Sequence, residues 1–136
     1  VIIGLGGVGS CVMEALARAG IGHLILVDFE RIEKSNINRQ ILALHSTIGM
    51  YKTQAAYDRI KDINPEIHVD IHNIFVDKDN IKDIVPLDSD YVIDAIDTVS
   101  SKIDIIKYAK RNSINIISCM GTGNKIDNTG FKIVPI

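Results

Sequence analysis

Three glycines near the start of the chain have the spacing of a phosphate-binding turn. Gly4, Gly6 and Gly9 follow the apolar residues 1–3 in the run VIIGLGGVGS, and an apolar-periodic helix begins at once. Glycine is needed where a chain turns tightly and lets phosphate oxygens approach its backbone. A following helix directs unpaired N–H groups and the positive end of its dipole at the same place. The pattern predicts a nucleotide phosphate site that includes Gly7, and a tight turn without a ligand is the alternative.

An acidic residue ends the next apolar run. Residues 23–28, HLILVD, show no polar alternation, which is typical of a parallel strand buried on both faces. Asp28 stands 19 positions after Gly9 (28 − 9), at the carboxyl end of this strand. A carboxylate at that point can accept hydrogen bonds from both hydroxyls of a ribose. A solvated acid at a strand end is the alternative, and the separation from the glycines favours ribose binding.

The polar connection that follows contains an amide and a guanidinium three residues apart. Asn36 and Arg39 lie in residues 29–49, and one helical turn would place both on the same face. Ser35 or Asn36 is predicted to cap a short helix that extends to Leu44. An arginine and an amide beside a phosphate site suit a triphosphate better than a dinucleotide. A capped helix with a surface arginine is the alternative.

A lysine and two aspartates complete the set of candidate site residues. Lys52 is predicted to lie in the first turn of a helix over 50–63, where a cation opposes the helix dipole. It could reach back to phosphates, or it could be a solvated surface charge. Asp94 and Asp97 end a strand predicted over 90–97, and ligands of doubly wound sheets bind outside the carboxyl ends of strands. Carboxylates there would hold Mg²⁺ or orient the lysine, or they would cap the next helix.

The elements that must position these residues alternate between strand and helix along the chain. That order predicts an α/β, Rossmann-like doubly wound sheet that is mostly parallel, with helices on both faces. We expect strands over 1–3, 23–28, 66–76, 90–97 and 114–120, helices over 8–19, 50–63 and 99–112, a short helix from an Asp79 cap to Val85, and a hairpin turn at 128–130 into a last strand over 131–136. The sheet-facing side of the first helix is predicted to carry Val8, Val12, Ala15, Leu16 and Ala19.

Two histidines and two cysteines have plain structural interpretations. His68 and His72 share one face of the third strand, because side chains alternate with period two. Since no third ligand accompanies them in the sequence, we interpret them as the polar face of an edge strand. Cys11 and Cys119 are predicted to be small core residues, not nucleophiles. Two distant cysteines in predicted core elements indicate reduced thiols and a cytoplasmic location.

Length and composition bound the class of protein. At 136 residues, the chain is expected to be one domain, trimmed at both ends from a longer protein. The net charge of −2 gives no overall electrostatic footprint for nucleic acid. No apolar run approaches the roughly 18 residues of a membrane span, which predicts no membrane contact in this segment.

The motifs together resemble the ThiF/MoeB/HesA superfamily, whose members are related to ubiquitin-activating enzymes. The resemblance is carried by GLGGVGS, VDFERIEKSNINRQ, the position of Lys52 and DAID, and it covers nearly the whole chain. It implies an ATP-binding adenylation domain over residues 1–136. The glycine loop would hold ATP, Asp28 the ribose, and Asn36, Arg39 and Lys52 the triphosphate. Asp97 would serve Mg²⁺ and the adenylation centre, so that Arg39, Lys52 and Asp97 would be catalytic.

Within the superfamily, the run YVIDAIDTVSSK and the N-P-E turn are similar to the branch that dehydrates threonylcarbamoyladenosine in tRNA. That branch would make tRNA the partner, and the superfamily tends to form homodimers. The alternative is an adenylyltransferase that activates the carboxyl terminus of a sulfur-carrier protein. An NAD-binding dehydrogenase, the third hypothesis, explains the glycine loop and Asp28 but gives no role to Asn36, Arg39, Lys52 and Asp97. A non-catalytic nucleotide-binding or dimerisation module is the fourth.

Overall fold

A computed structural model describes residues 1–121, 127 and 129–136 of the chain. The elements, in chain order, are β1 Ile2–Ile3, α1 Gly7–Arg18, β2 His23–Val27, a 3₁₀ turn Lys34–Asn36, α2 Lys52–Ile63, β3 His68–His72, α3 Ile81–Ile84, β4 Tyr91–Asp94, α4 Val99–Arg111 and β5 Asn115–Ser118. The five strands form one sheet in the order β3-β2-β1-β4-β5, and every pair of neighbours is parallel. The predicted Rossmann-like doubly wound α/β fold is confirmed.

Helices cover both faces of the sheet, and the strands alternate their side chains between two cores. Ile2 and Leu26 point into the core shared with α1 and α2. Ile3 and Val27 point into the core shared with α3 and α4. Every second residue of a central strand is therefore buried on one side and its neighbour on the other, which explains the unbroken apolar runs of the sequence. No helix of the described residues is long and apolar enough to cross a membrane.

The buried face of α1 differs from the prediction. Gly9, Met13 and Ala17 are buried, whereas Val8 is 39% exposed and Cys11 lies on the solvent side. The first turn of α1 packs against the loop backbone, because a Cβ at Gly9 would lie only 1.8 Å from the carbonyl oxygen of Gly4. That contact fixes the rotation of the helix. Val12 and Leu16 of the predicted face pack against the core, whereas Ala15 and Ala19 are exposed, so the prediction is wrong for these two and for Val8. The interpretation of Cys11 as a core residue is also wrong.

The predicted short helix that extends to Leu44 is absent from the connection after β2, which contains only a 3₁₀ turn. Its 3₁₀ turn begins after Glu33, not after Ser35 or Asn36, and lasts three residues. Beyond it, the Thr47 hydroxyl donates to the carbonyl of Leu42 at 2.7 Å and accepts from the N–H of Leu44 at 2.9 Å. Such local side-chain bonds satisfy backbone groups that a helix would otherwise pair, and the segment folds as successive turns.

The predicted last strand is also wrong. Residues 131–136 are exposed and pair with no strand of the described residues, while Asn128 of the predicted hairpin turn lies outside them. An apolar run indicates strand preference but does not provide a partner, and a strand exists only through its ladder of hydrogen bonds. The other strands are shorter than predicted, and β4 ends at Asp94 instead of Asp97.

Candidate active site

A cavity of about 650 Å³ lies at the carboxyl ends of the strands. Its walls come from the segments that follow all five of them, which is where a parallel sheet with a switch point between β1 and β4 leaves a crevice. Most of the predicted site residues line it, namely Gly4, Gly6, Gly7, Asp28, Asn36, Arg39, Lys52 and Asp97. Gly9 does not line it, and its place behind the loop makes it a packing residue.

The glycine loop packs closely against the protein at Gly4 and leaves open space at Gly6. Gly4 has φ +91°, and a Cβ there would approach the backbone of Ala95 to 2.9 Å. Gly6 differs, because its nearest neighbour to an added Cβ would be the side-chain nitrogen of Gln40 at 3.9 Å. The front of the loop therefore leaves room for atoms of a ligand, in the way that a phosphate-binding turn requires.

The amino end of α1 meets the cavity without a protein cap. Gly6 is the N-cap, it offers no side-chain hydrogen bond, and the first turn contains no acidic residue. The first N–H groups of a helix have no partner within the helix, and they carry the positive end of its dipole. This end of α1 is therefore suited to an anion.

Asp28 is fixed at the cavity wall by two backbone N–H groups. Its Oδ2 accepts from Leu5 N at 2.7 Å, and its Oδ1 accepts from Glu30 N at 2.8 Å. The residue is 8% exposed, and desolvation on burial raises the pKa of its carboxyl above the ordinary value although both bonds oppose the rise. Since a carboxylate has about four acceptor positions, both oxygens retain capacity for ligand hydroxyls. The interpretation of Asp28 as a solvated strand-end acid is wrong.

Lys52 is buried, although it begins a helix. It is 2% exposed, and its ammonium forms an ion pair with the carboxylate of Glu30, which is half-exposed at the cavity rim. The same two residues are also joined through the backbone, where Lys52 N donates to the carbonyl of Glu30 at 3.1 Å. The ion pair compensates for a cation at the positive end of a helix dipole. The alternative of a solvated surface charge is therefore wrong.

Arg39 and Asn36 both line the cavity, but Arg39 is exposed whereas Asn36 is buried. The exposed Arg39 guanidinium donates to the carbonyl of Ser35 at 3.0 Å and to the Asn38 side-chain oxygen at 2.9 Å. The Asn36 side-chain oxygen accepts from the N–H of Glu33 at 3.0 Å, which closes the 3₁₀ turn. Asn36 therefore first shapes the loop that presents Arg39, and its amide NH₂ group provides donors in addition.

The two aspartates after β4 separate into different environments. Asp97 is exposed and lines the cavity. Asp94 is fully buried, where it accepts from Lys102 Nζ at 2.7 Å and from the Ser118 hydroxyl at 2.6 Å. Asp94 therefore pairs with Lys102 and does not orient Lys52, which has Glu30 as its partner.

The structure adds cavity residues that sequence reasoning missed. Gln40 is 6% exposed, and its side-chain oxygen has no hydrogen-bond partner among the described residues. Phe29 and Phe75 form an edge-to-face pair, with ring centroids 5.3 Å apart, that gives the cavity an apolar wall. The sequence could have indicated both residues, because each lies just beyond the carboxyl end of a strand. Cys119 also lines the cavity and is half-buried, so it is not the core residue predicted.

The fold and the cavity define a doubly wound α/β protein with an open glycine loop at its switch point. The ThiF family matches residues 1–132, and the chain belongs to that family. It is 48% identical over 135 residues to tRNA threonylcarbamoyladenosine dehydratase of Haemophilus influenzae, a match that covers 99% of this chain and 52% of the relative. It is 32% identical over 117 residues to molybdopterin-synthase adenylyltransferase of the same organism, covering 86% and 48%.

Solved structures agree with the sequence relatives. The chain resembles E. coli tRNA N6-threonylcarbamoyladenosine dehydratase, TcdA, in complex with ATP, with a TM-score of 0.91 and 43% identity over 94% of this chain and 53% of that one. The complex of the same protein with AMP gives a TM-score of 0.90, with 94% and 52% covered. The chain thus spans about half the length of the relatives that it matches.

Proposed function

We propose that this chain is the nucleotide-binding part of an ATP-dependent enzyme that dehydrates threonylcarbamoyladenosine in tRNA. The observation that carries the proposal is the gathering of Asp28, Arg39 and Lys52 around an open glycine loop in a single cavity. The 48% identity to a tRNA threonylcarbamoyladenosine dehydratase supports this substrate over others.

Asp28 is the proposed ribose ligand. Its two oxygens are held in place before any ligand arrives, so a nucleoside pays little to orient them. Two ribose hydroxyls would donate to a buried carboxylate, and hydrogen bonds to charged groups contribute about 1.5 to 3 kcal/mol. The Phe29–Phe75 wall, next to Asp28, offers apolar surface to the base.

Lys52 and Arg39 are the proposed phosphate ligands, together with the open N–H groups of the loop and α1. Triphosphate would compete with the carboxylate of Glu30 for the Lys52 ammonium. The guanidinium of Arg39 offers a planar fork that matches phosphate oxygens. Asn36 would hold the Arg39 loop in place through its bond with Glu33.

Asp97 fits a magnesium site at this cavity. It is an exposed carboxylate at the rim, and oxygen ligands of this kind, together with substrate phosphates, are those that Mg²⁺ prefers. When bound, the ion would neutralise negative charge on the phosphates. Asp94 does not fit such a site, because it is fully buried and Lys102 and Ser118 both donate to its Oδ2.

The proposed chemistry is activation of a carboxylate. A carboxylate resists attack because oxide is a poor leaving group. Its oxygen would attack the α-phosphorus of ATP and form an acyl-adenylate as pyrophosphate leaves. An internal amide or hydroxyl would then attack the acyl carbon, release AMP and close a ring, so that the substrate loses one water overall. Arg39 and Lys52 would stabilise the charge that develops on the phosphates.

The partner and the setting follow from this proposal. The substrate is tRNA carrying threonylcarbamoyladenosine, bound by a homodimer with Mg²⁺ and ATP. We propose a cytoplasmic location, in keeping with the free thiols of Cys11 and Cys119, because the cytosol keeps thiols reduced. The similarity to molybdopterin-synthase adenylyltransferase supports the second candidate, activation of a sulfur-carrier protein by the same adenylation step.

Pyrophosphate exchange by the complete protein tests the proposal. With Mg²⁺ and ATP, exchange should require threonylcarbamoyladenosine-modified tRNA, and a cyclised nucleoside should appear. Lys52→Met should reduce the rate by about a hundredfold or more, as when one preorganised transition-state donor is lost. Methionine fills the buried volume of the lysine stem, and the half-exposed carboxylate of Glu30 stays in contact with water, so the melting temperature should change little.

The matched control is Lys82→Met, because Lys82 is an exposed lysine on α3. It should exchange like the parent protein. Exchange that depends on a sulfur-carrier protein instead of tRNA would support the second candidate. Near-normal exchange by Lys52→Met, or tighter binding of NAD than of ATP by the parent, would overturn the adenylation proposal.

A further inference from the structure

Two histidines and an aspartate converge at the end of the sheet opposite the cavity. His23 begins β2, His68 begins the edge strand β3, and the two residues are directly paired in the parallel register. Asp70 follows His68 by two residues, so its side chain lies on the same face of the sheet. His23 and His68 are 45 positions apart in the sequence (68 − 23), so only the strand register brings them together. The pair noted in the sequence, His68 and His72, is not the one that converges here.

The ligand atoms of the three side chains are close enough to share one ion. Oδ2 of Asp70 lies 2.8 Å from Nε2 of His23 and 3.5 Å from Nε2 of His68. All three ligand atoms lie within 4.8 Å of one another. Neighbouring ligands of a tetrahedral zinc ion, with bonds of about 2.0 to 2.1 Å, are about 3.3 Å apart. The two distances from Asp70 fall on either side of that value.

The orientation of the rings also suits a shared ion. The His23 and His68 ring centroids are 4.6 Å apart and the ring planes are inclined at 56°, so the rings are not stacked face to face. Both Nε2 atoms approach the same carboxylate oxygen.

We propose that His23, His68 and Asp70 form a binding site for a divalent transition metal of the zinc class. Two imidazole nitrogens and one carboxylate oxygen are a typical ligand set for Zn²⁺, and water would occupy the remaining position because all three side chains are accessible. Imidazole selects zinc, copper and nickel over magnesium. The ion would join the first residues of β2 and β3 and so fix the edge strand.

The proposed metal site is independent of the proposed function. β2 runs from His23 to Val27, a distance of about 13 Å at about 3.3 Å per residue, and the cavity lies beyond its carboxyl end. None of the three metal-site residues lines the cavity. Failure of the metal proposal would therefore leave nucleotide binding untouched, and the reverse also holds.

Calorimetric titration with Zn²⁺ tests the site in the complete protein after chelator treatment, with excess Mg²⁺ present to occupy oxygen-rich sites. Co²⁺ provides a spectroscopic probe, because tetrahedral cobalt absorbs visible light. The parent protein should bind one more Zn²⁺ than His23→Ala or His68→Ala. Asp70→Asn should weaken that site at least tenfold, since loss of even an outer-shell partner costs 10- to 100-fold in affinity.

His45→Ala is the matched control, because His45 is an exposed histidine outside the cluster. It should retain the full stoichiometry and the cobalt spectrum. His72→Ala should do the same, although His72 shares a strand face with His68. Unchanged binding in His23→Gln and His68→Gln variants with parental circular dichroism would overturn the proposal, and so would loss of the site in His72→Ala with retention in His23→Ala.

Discussion

Gly6 and Gly9 lie three residues apart in the same motif and meet opposite surroundings. Gly6 faces the cavity, and an added Cβ would have no neighbour nearer than 3.9 Å. At Gly9, the Cβ would lie 1.8 Å from the carbonyl oxygen of Gly4. The first glycine keeps space for a ligand, and the second lets α1 pack against its own loop.

Alanine at these two positions should therefore separate binding from folding. Gly6→Ala should lose about 1 kcal/mol of stability or less, the cost of a poorer N-cap, and should bind ATP much more weakly because the methyl group occupies the phosphate side of the loop. Gly9→Ala should lose several kcal/mol or fail to fold, as strained, overpacked sites do. Urea unfolding and ATP titration of the complete protein measure both effects.

Retained ATP affinity in folded Gly6→Ala would show that phosphate does not approach this glycine. Parental stability in Gly9→Ala would contradict the close packing of α1. Gly22→Ala is the matched control, because Gly22, like Gly6 and Gly9, has no positive φ, and no atom lies within 4 Å of an added Cβ.

At the scale of elements, the buried pair Asp94–Lys102 joins three of them. Lys102 on α4 donates to Asp94 on β4 at 2.7 Å and to the carbonyl of Cys119, beyond β5, at 2.9 Å. Asp94 also accepts from Ser118 on β5. Since Ala95 and Asp97 follow directly and line the cavity, this pair fixes the wall that carries Asp97.

Breaking the Asp94–Lys102 pair should be costly, and removing both charges less so. Lys102→Met and Asp94→Asn should each destabilise the protein by about 3 to 5 kcal/mol, because each leaves one buried charge without compensation. The double variant should lose clearly less than the sum. Denaturant unfolding of the four proteins gives the coupling energy, with Lys107→Met, an exposed change on α4, as the control. Additive losses would contradict a direct pair.

At the scale of the whole molecule, a contact between α1 and α2 contributes to stability in acid. The Arg59 guanidinium on α2 donates a hydrogen bond to the carboxylate of Glu14 on α1, and Arg18, one turn further along α1, forms an ion pair with Glu14 at 2.7 Å. These bonds, first that of Arg59, lower the pKa of Glu14 from 4.5 to about 2. The folded protein then binds fewer protons than the unfolded chain, so this contribution is present above about pH 4.5 and is lost as the pH falls to about 2.

Glu14→Gln should weaken the dependence of the free energy of unfolding on pH between about 2 and 4.5. At neutral pH, we expect a loss of about 1 kcal/mol, the upper end for exposed ion pairs, and a loss that vanishes near pH 2. Urea unfolding across this pH range checks the expectation, with Glu66→Gln, an exposed change beyond α2, as the control. A loss that stays constant with pH would contradict the assignment.

Asp28 acts in the opposite direction, because burial raises its pKa and its ionised form costs stability as the pH rises.

The sequence by itself determined the order of the five paired strands, the main helices between them and the end of the sheet that carries the cavity. Unbroken apolar runs indicated strands buried on both faces, and Asp28 and Asp97 could be placed at one end because parallel strands bring their carboxyl ends together. The glycine spacing was equally local, and so was α2, which was predicted over 50–63 and lies at Lys52–Ile63. These features depend on residues that are near one another in the sequence, so periodicity and spacing are enough to predict them.

Only the tertiary structure decided which side chains meet. The rotation of α1 followed from a contact between Gly9 and Gly4, not from the apolar pattern. Lys52 acquired Glu30 as its partner, and Asp94 acquired Lys102, through burial that no spacing encodes. His23 reached His68 through strand register. A partner across the sheet is set by packing of the whole chain, so pairwise chemistry of this kind appears only once the fold has formed.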